Sequence, residues 1–545
     1  MDDARTGSDA RSLGPRATTA ALVALGLAAI AAAIGVVTFK AFELDRFFVP
    51  KELALHAGAL VGAVVLALRP GPRAWTRIDL AMAAWVACSL ASAAFATSGF
   101  HAWRAVGITL SAAVVFWAAA TLRAGGHERA LARLLATAAT VAVAIALADA
   151  YGVNSDFFSL NRAPGGTLGN RNFVAHIAAL AFPLLVWLAA TARSSARALI
   201  GALAILMATA ALVLSRTRAS WLALAVWGAL VLPLAWRHRA VLVAAAPPGR
   251  WRVLGLALVA GIVAAVAVPN TLDWKSDSPY LDSVRGVVNY QEGSGAGRLK
   301  QYTNSLRMTR AHPVLGVGPG NWAAEYPAFA PRTDPSISDA TGMTANPWPS
   351  SDWVAAISER GVPAFMALVL LVLALLWHGW RGWSDAVFSS RERIGALAGA
   401  SVVLIGAIQG LFDAVTLLAL PAIVLWGTAG ALVPPGPTRQ TLSVQPGTRR
   451  ALAVLAVLVW GGLVATSAAK VEAMRLYATG TYDSIRAAAA WDPGSYRIQM
   501  RAAELQADRG YCRLAYHNAM RAAALFPHSA QAQRLVARCA TAPAP

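Results

Sequence analysis

The residues best suited to chemistry in this sequence are guanidinium groups and carboxylates set close to long apolar runs. Arg216 and Arg218 stand in the tetrapeptide SRTR, wedged between two such runs. A guanidinium is planar, permanently charged and offers paired donors, so two of them in one tight turn suit the oxygens of a phosphate or diphosphate. The competing role for such arginines is to snorkel towards lipid headgroups. Upstream, GGTLGNRNFVAHIAALAFP sets glycines, Asn170 and Asn172 just ahead of an apolar helix. A glycine turn at a helix N-terminus presents backbone N–H groups to an anion, although the same turn is a common entry into a membrane helix. His176, one turn further on, reads as a packed residue.

Downstream, GRLKQYTNSLRMTRAHPVLGVGPGNW begins as a helix and stops before Pro313. Leu299, Tyr302 and Leu306 recur at helical spacing and predict its buried face. Arg298, Arg307 and Arg310 are then candidates for a polyanionic ligand. Gly316, Gly318 and Gly320 predict a turn in which backbone approaches something closely. Next, NPWPSSDWVAAISERGVP carries Asp352 and Glu359, the carboxylates nearest the following apolar run, on a short helix. Trp322 and Trp348 suit stacking on sugar rings or a place in an interfacial aromatic belt; Trp353 reads as belt. The segment 40–51, KAFELDRFFVPK, mixes both charge signs with aromatics and reads as an interfacial anchor.

The elements that must position these groups are membrane helices. The chain has 545 residues, and repeated apolar runs of about 16–22 residues match a hydrocarbon core of about 30 Å. The expected spans are 18–39, 52–68, 78–96, 106–122, 133–150, 173–191, 198–214, 219–236, 253–268, 362–377, 394–411, 415–433 and 451–468. The run 198–236 is divided at SRTR because two arginines in mid-bilayer are costly. The net charge of +20 resides in the joints between spans, which is a topology signal rather than a nucleic-acid surface. With 1–17 as a cytoplasmic tail, the arginine-rich joints fall on the cytoplasmic side and the poorer ones outside. Arg216 and Arg218 then run against the trend, on the outer face with a loop at 269–361 and the C-terminus. The fold class is therefore all-α: a polytopic membrane protein of about 12–13 transmembrane helices.

Cysteine is scarce. Cys88 lies in an apolar run, while Cys512 and Cys539 lie in the last segment, where a disulfide is open to them if that segment is extracytoplasmic. With no CxxC or His/Cys cluster, no metal site and no cofactor are expected. The segment 434–450 reads as a proline-rich loop. Residues 469–545 are alanine-rich with helical periodicity, and their bulky residues and closing FP and DP dipeptides resemble degenerate tetratricopeptide-type hairpins on the outer face.

Taken in order, GTLGNRNFVAHIAALAFP, SRTRASWLAL, GRLKQYTNSLRMTRAHPVLGVGPGNWAAEYP and SDWVAAISERGVPAF resemble the O-antigen ligase and O-antigen polymerase group, over roughly 53–433. The resemblance implies a GT-C-type membrane glycosyltransferase without metal or nucleotide sugar. Such an enzyme takes a glycan from undecaprenyl diphosphate and passes it to lipid A-core or a growing polysaccharide. It also implies that Arg216, Arg218 and Arg298 hold the diphosphate. The family's usual His-Asn pair falls here on Ser350 and Ser351, neither of which is a base near neutral pH, so Asp352 becomes the candidate to accept the acceptor's proton. Two other classes stay open. A bicarbonate- or other anion-type transporter wants ionisable groups inside the spans, for which His176, Gln409 and Asp413 are candidates. A non-catalytic envelope scaffold would act through 469–545.

Overall fold

The computed structural model describes residues 14–540 apart from 160–161, 275, 277, 289–292 and 339–340. Twelve of its helices are long and apolar enough to cross a membrane, from Pro15–Ile34 to Pro446–Thr479. They lie on the apolar runs, and SRTR does divide two of them, Ser195–Ser215 and Arg218–Arg237. A thirteenth apolar helix, Ala419–Leu432, has only 14 residues, all buried. It is shorter than the predicted 415–433 because residues 410–418 are turn and irregular backbone. Among the described residues the architecture is all-α but for one short antiparallel ribbon, Arg73–Trp75 paired with Gln440–Leu442, and an isolated bridge between Ile337 and Thr344. That ribbon takes up part of the predicted loop 434–450.

The spans alternate in direction, so the joints collect on two faces. One face holds 69–76, 125–127, 191–194, 238–247, 385–389 and 433–445, tied by the ribbon and by arginine–carbonyl bonds such as Arg123 Nη1 to Val433 O (2.7 Å) and Arg250 Nη1 to Ala192 O (2.8 Å). The opposite face holds 35–44, 95–98, 151–170, 216–217, 268–351, 410–418 and the C-terminal helices. Between lipid and apolar side chains there is little hydrophobic driving force, so the spans must be held by close packing and hydrogen bonds. Alanine and glycine allow that approach. Of the twelve long helices Arg171–Ala190 is the most enclosed, whereas Arg218–Arg237 and Pro248–Ala267 are peripheral and leave Leu230, Leu232, Leu256 and Val263 exposed, as lipid-facing helices do.

The long segment 268–351 carries a folded core of its own. Trp322 and Tyr326 are fully buried with Met308 and Val317. Asn304 Nδ2 and the Tyr326 hydroxyl both donate to Asp334 Oδ2 (2.8 and 3.0 Å), and Trp322 Nε1 donates to Ser305 Oγ (2.9 Å). This corrects the predicted face of helix Gly293–Ala311. Gln301, Asn304, Ser305 and Met308 are buried, while Leu299 and Leu306 are about half exposed, at 50% and 47%. The polar face turns inwards because it bonds the loop's tryptophan, tyrosine and aspartate.

The glycine turn has a definite partner. The helix Asp352–Ser384 breaks at Gly361, whose φ of 80° is left-handed. Val317 N donates to Ser358 O (3.1 Å), Gly318 N to Glu359 O (2.8 Å) and Val362 N to Pro313 O (2.8 Å). A β-carbon on Gly361 would lie 2.1 Å from Val314 O, and one on Gly316 2.3 Å from Glu359 C. Only glycine fits such contact. Glu359, predicted as a bilayer-edge carboxylate, serves this joint: it accepts from Gly320 N (2.9 Å) and Trp322 N (3.3 Å) and is paired with Arg360 (3.5 Å).

The last span continues as one helix to Thr479, past the predicted boundary at 468, and is followed by Tyr482–Trp491, Tyr496–Asp508, Cys512–Leu525 and Ala530–Ala540. Neighbouring helices pack through alanines, and the first two lie against Phe42 and Val49 of the 37–49 segment. Cys512 and Cys539 are free thiols with their sulfurs 3.2 Å apart.

Candidate active site

Two neighbourhoods on the loop-bearing face concentrate polar chemistry. The first is an arginine rim. The turn between Ser195–Ser215 and Arg218–Arg237 puts Arg216 in the left-handed region, with φ of 53°, unusual for a residue with a β-carbon. Its guanidinium lies 4.6 Å from the Trp274 ring centre, and Arg171, at the start of Arg171–Ala190, lies 5.2 Å from the same ring. Arg216 Nε donates to Ser283 Oγ (2.8 Å). Partial burial pulls the Arg216 guanidinium down from its ordinary value and the Asp282 carboxylate opposes this; a guanidinium stays cationic at neutral pH. Arg162, Arg171 and Arg216 are electrostatic neighbours, so the rim holds more positive charge than acid.

The second neighbourhood is a cavity of about 460 Å³ between the spans and the C-terminal helices. Its wall bears an ion-pair network: Arg104 Nη2 bonds Asp45 Oδ1 (2.7 Å) and Glu52 Oε1 (2.8 Å), and Arg104 Nε bonds Glu52 Oε2 (2.9 Å). Lys470, Asp492, His101 and Arg497 complete its polar lining, and Phe48, Trp85, Phe100, Trp348 and Phe526 supply ring faces. Burial pushes the Asp492 carboxyl up, and Lys470 opposes that shift. Counting its lining, six carboxylates meet five lysine or arginine side chains, so this region is close to neutral.

Between rim and cavity lies a junction built by residues far apart in sequence. Asn172 Nδ2 donates to Asp413 Oδ2 (3.1 Å), while Asn172 Oδ1 accepts from Thr217 Oγ1 (3.2 Å). His176 Nε2 is 3.7 Å from the same Asp413 oxygen. Asp352, the first residue of its helix, accepts from Thr416 N (2.9 Å) and Val415 N (3.1 Å) and lines the cavity. Irregular backbone inside a membrane protein needs such partners. The Tyr302 hydroxyl sits 2.7 Å from both Ser350 O and Leu411 O, pinning the helix of Arg298 against this junction.

The predicted site residues thus divide. Arg216 is on the rim, Arg218 starts the helix beside it, and Arg298 is half-buried within electrostatic reach of His176. Asn172, Asp352 and Trp348 meet at the junction and cavity. The others do not fit their expected roles. Asn170 is buried and caps its helix, accepting from Asn172 N (3.0 Å). The glycine turn before it is no free anion cradle, since Gly165 N and Gly166 N both donate to Asp149 Oδ2 (2.9 Å each). Trp322 has no exposed surface and cannot stack on a sugar. Arg310 is exposed at the far end of its helix. Of the transporter candidates, Gln409 is bound to Ser220 (2.9 Å) and His176 and Asp413 form the junction. Arg171 and Trp274 were missed. The available signal was that Arg171, like Arg216, is a cation on the arginine-poor face, inside GNRN itself.

No curated protein matches the chain. A family model described as O-antigen ligase matches residues 202–369, narrower than the 53–433 of the sequence resemblance. The match runs from the span before Arg216, through the rim tryptophan and the helix of Arg298, to Asp352 and the Gly361 break. With its spans and the arginine turn in that order, the chain is a multi-pass membrane protein whose residues 202–369 are similar to the O-antigen ligase family.

Proposed function

We propose that this protein moves a glycan from an undecaprenyl diphosphate carrier to an acceptor hydroxyl on the periplasmic side of the inner membrane, as a ligase or a polysaccharide polymerase. The observation that carries this reading is the arginine rim: Arg171 and Arg216 flank Trp274 with little compensating acid, next to the matched family region. A diphosphate leaving group gains charge as the anomeric carbon–oxygen bond breaks. Fixed guanidinium groups stabilise that charge without reorganising, an effect worth about 10²–10³ in rate per donor. Arg218 and Arg298 extend the same cationic surface.

The acceptor oxygen bonds the anomeric carbon and gives up its proton. Ser350 and Ser351 replace the family's His-Asn pair, and Ser351 is engaged as a helix cap, its hydroxyl donating to Gly410 O (2.8 Å). The proton then goes to the junction carboxylates. Asp352 faces the cavity, and Asp413, backed by His176, stands beside Asn172 on the rim side. Because no metal ligand is invoked, transfer is expected to survive a chelator. The arginine-rich face supports a cytoplasmic N-terminus. The rim, the loop and the tetratricopeptide-like C-terminal helices then face the periplasm.

The test is reconstitution. Purified protein is given an undecaprenyl-diphosphate-linked oligosaccharide and candidate acceptors, lipid A-core and a free oligosaccharide, with and without chelator. Transfer that is lost in an Arg216 variant supports the reading. Transfer at full rate without Arg216 and Arg171 refutes the diphosphate role. A phosphatase fusion placed after 480 that is active only in the cytoplasm refutes the orientation.

A further inference from the structure

The cavity beneath the C-terminal helices is distinct in composition from the rim, and one of its groups lacks a partner. The Arg104 guanidinium bonds Asp45 and Glu52 through Nε and Nη2. Lys470 stands within electrostatic reach of Asp45, Glu52 and Asp492, yet its ammonium makes no hydrogen bond or ion pair with any described residue. It lines the cavity. His101 Nδ1, on the same wall, is buried and also unbonded. An ammonium and carboxylates that approach without touching leave donors and acceptors for a ligand to bridge.

The C-terminal helices build part of this wall. His101 meets Phe526 edge-to-face with ring centres 5.2 Å apart, Phe526 meets Tyr496 likewise at 5.3 Å, and Phe48 and Trp348 are tilted together at 5.3 Å across the span side. Apolar ring faces beside paired hydroxyl partners suit a sugar, whose CH face stacks while its hydroxyl edge bonds. Near-balanced charge disfavours a diphosphate, which the rim accommodates instead. From this we infer that the cavity is a saccharide subsite for a neutral or amino-sugar acceptor end. Lys470 and Asp492 recognise its polar edge, and the C-terminal helices form part of the site rather than a separate module. This rests on the proposed transfer reaction and adds to it where the acceptor sits.

The experiment uses the full-length protein in the host that makes the glycan. A benzophenone-bearing phenylalanine replaces Phe526 at the cavity wall or, as control, Leu230 on the lipid-facing surface. After irradiation the purified protein is probed for carbohydrate by periodate oxidation and hydrazide labelling. Carbohydrate is expected on the Phe526 variant and not on the Leu230 variant, and to fall about tenfold when Lys470→Met or Asp492→Asn is added. Absence of carbohydrate at Phe526, or labelling indifferent to both substitutions, overturns the inference. The same preparations are tested for binding undecaprenyl diphosphate alone. Loss of that binding in an Arg216 variant, together with no saccharide at Phe526, leaves the donor reading standing and removes only the acceptor subsite. Saccharide at Phe526 without Arg216-dependent donor binding does the reverse.

Discussion

The rim and the cavity share one face of the membrane, yet they treat charge in opposite ways. On the rim, Arg171 and Arg216 stack on one tryptophan and have little acid near them. In the cavity, the Arg104 guanidinium is clamped by two carboxylates at 2.7–2.9 Å. Bare guanidinium groups attract a dianion, whereas a compensated network selects by hydrogen-bond geometry. Two kinds of ligand can then be held side by side without competing for the same site. In the proposed reaction, the junction of Asn172, Asp413 and Asp352 is where a bond between the two changes hands.

Substitutions break or sharpen that contrast. The largest effect is expected from Arg216→Lys, which keeps the charge but loses the planar fork. Transfer from an undecaprenyl-diphosphate-linked oligosaccharide should fall about a thousandfold, with the melting temperature unchanged. An undiminished rate would dissolve the distinction between rim and cavity. Trp322→Ala should cost about 3 kcal/mol of stability, read as earlier thermal unfolding, while the KM for donor and acceptor in the surviving protein stays the same. A change in KM would return Trp322 to the binding surface. For Asp352→Asn a drop of about a hundredfold in kcat is expected, with undecaprenyl diphosphate binding intact, because the residue faces the cavity rather than the arginines. Trp348→Ala should raise acceptor KM about fivefold, the scale of one lost ring contact, and leave donor KM alone. Arg310→Ala, at the exposed end of its helix, should change neither value by more than about twofold.

Much of the fold was legible from the chain because hydropathy is a local property. An apolar run of sufficient length is a span whatever surrounds it, and SRTR had to be a turn because two arginines do not rest in hydrocarbon. The short helix carrying Glu359 ahead of the next span was also legible, but not its join to that span through a left-handed Gly361. The inward face of Gly293–Ala311 was not. Leucine spacing assumes that apolar side chains seek the core, but here the core offered hydrogen-bond partners and the leucines were left outside. Nor did the glycines before Asn170 reveal that Asp149 already occupied their amides.

By itself, then, the order of residues determined the spans, the face on which basic joints gather and the arginines that stand against that pattern. Only the folded chain decided which cations are neutralised. Arg104 meets its carboxylates across 52 and 59 residues, and Asn172 meets Asp413 across 241. Charge is written into each residue, but compensation is a distance, and distances between remote segments exist only after the helices have packed.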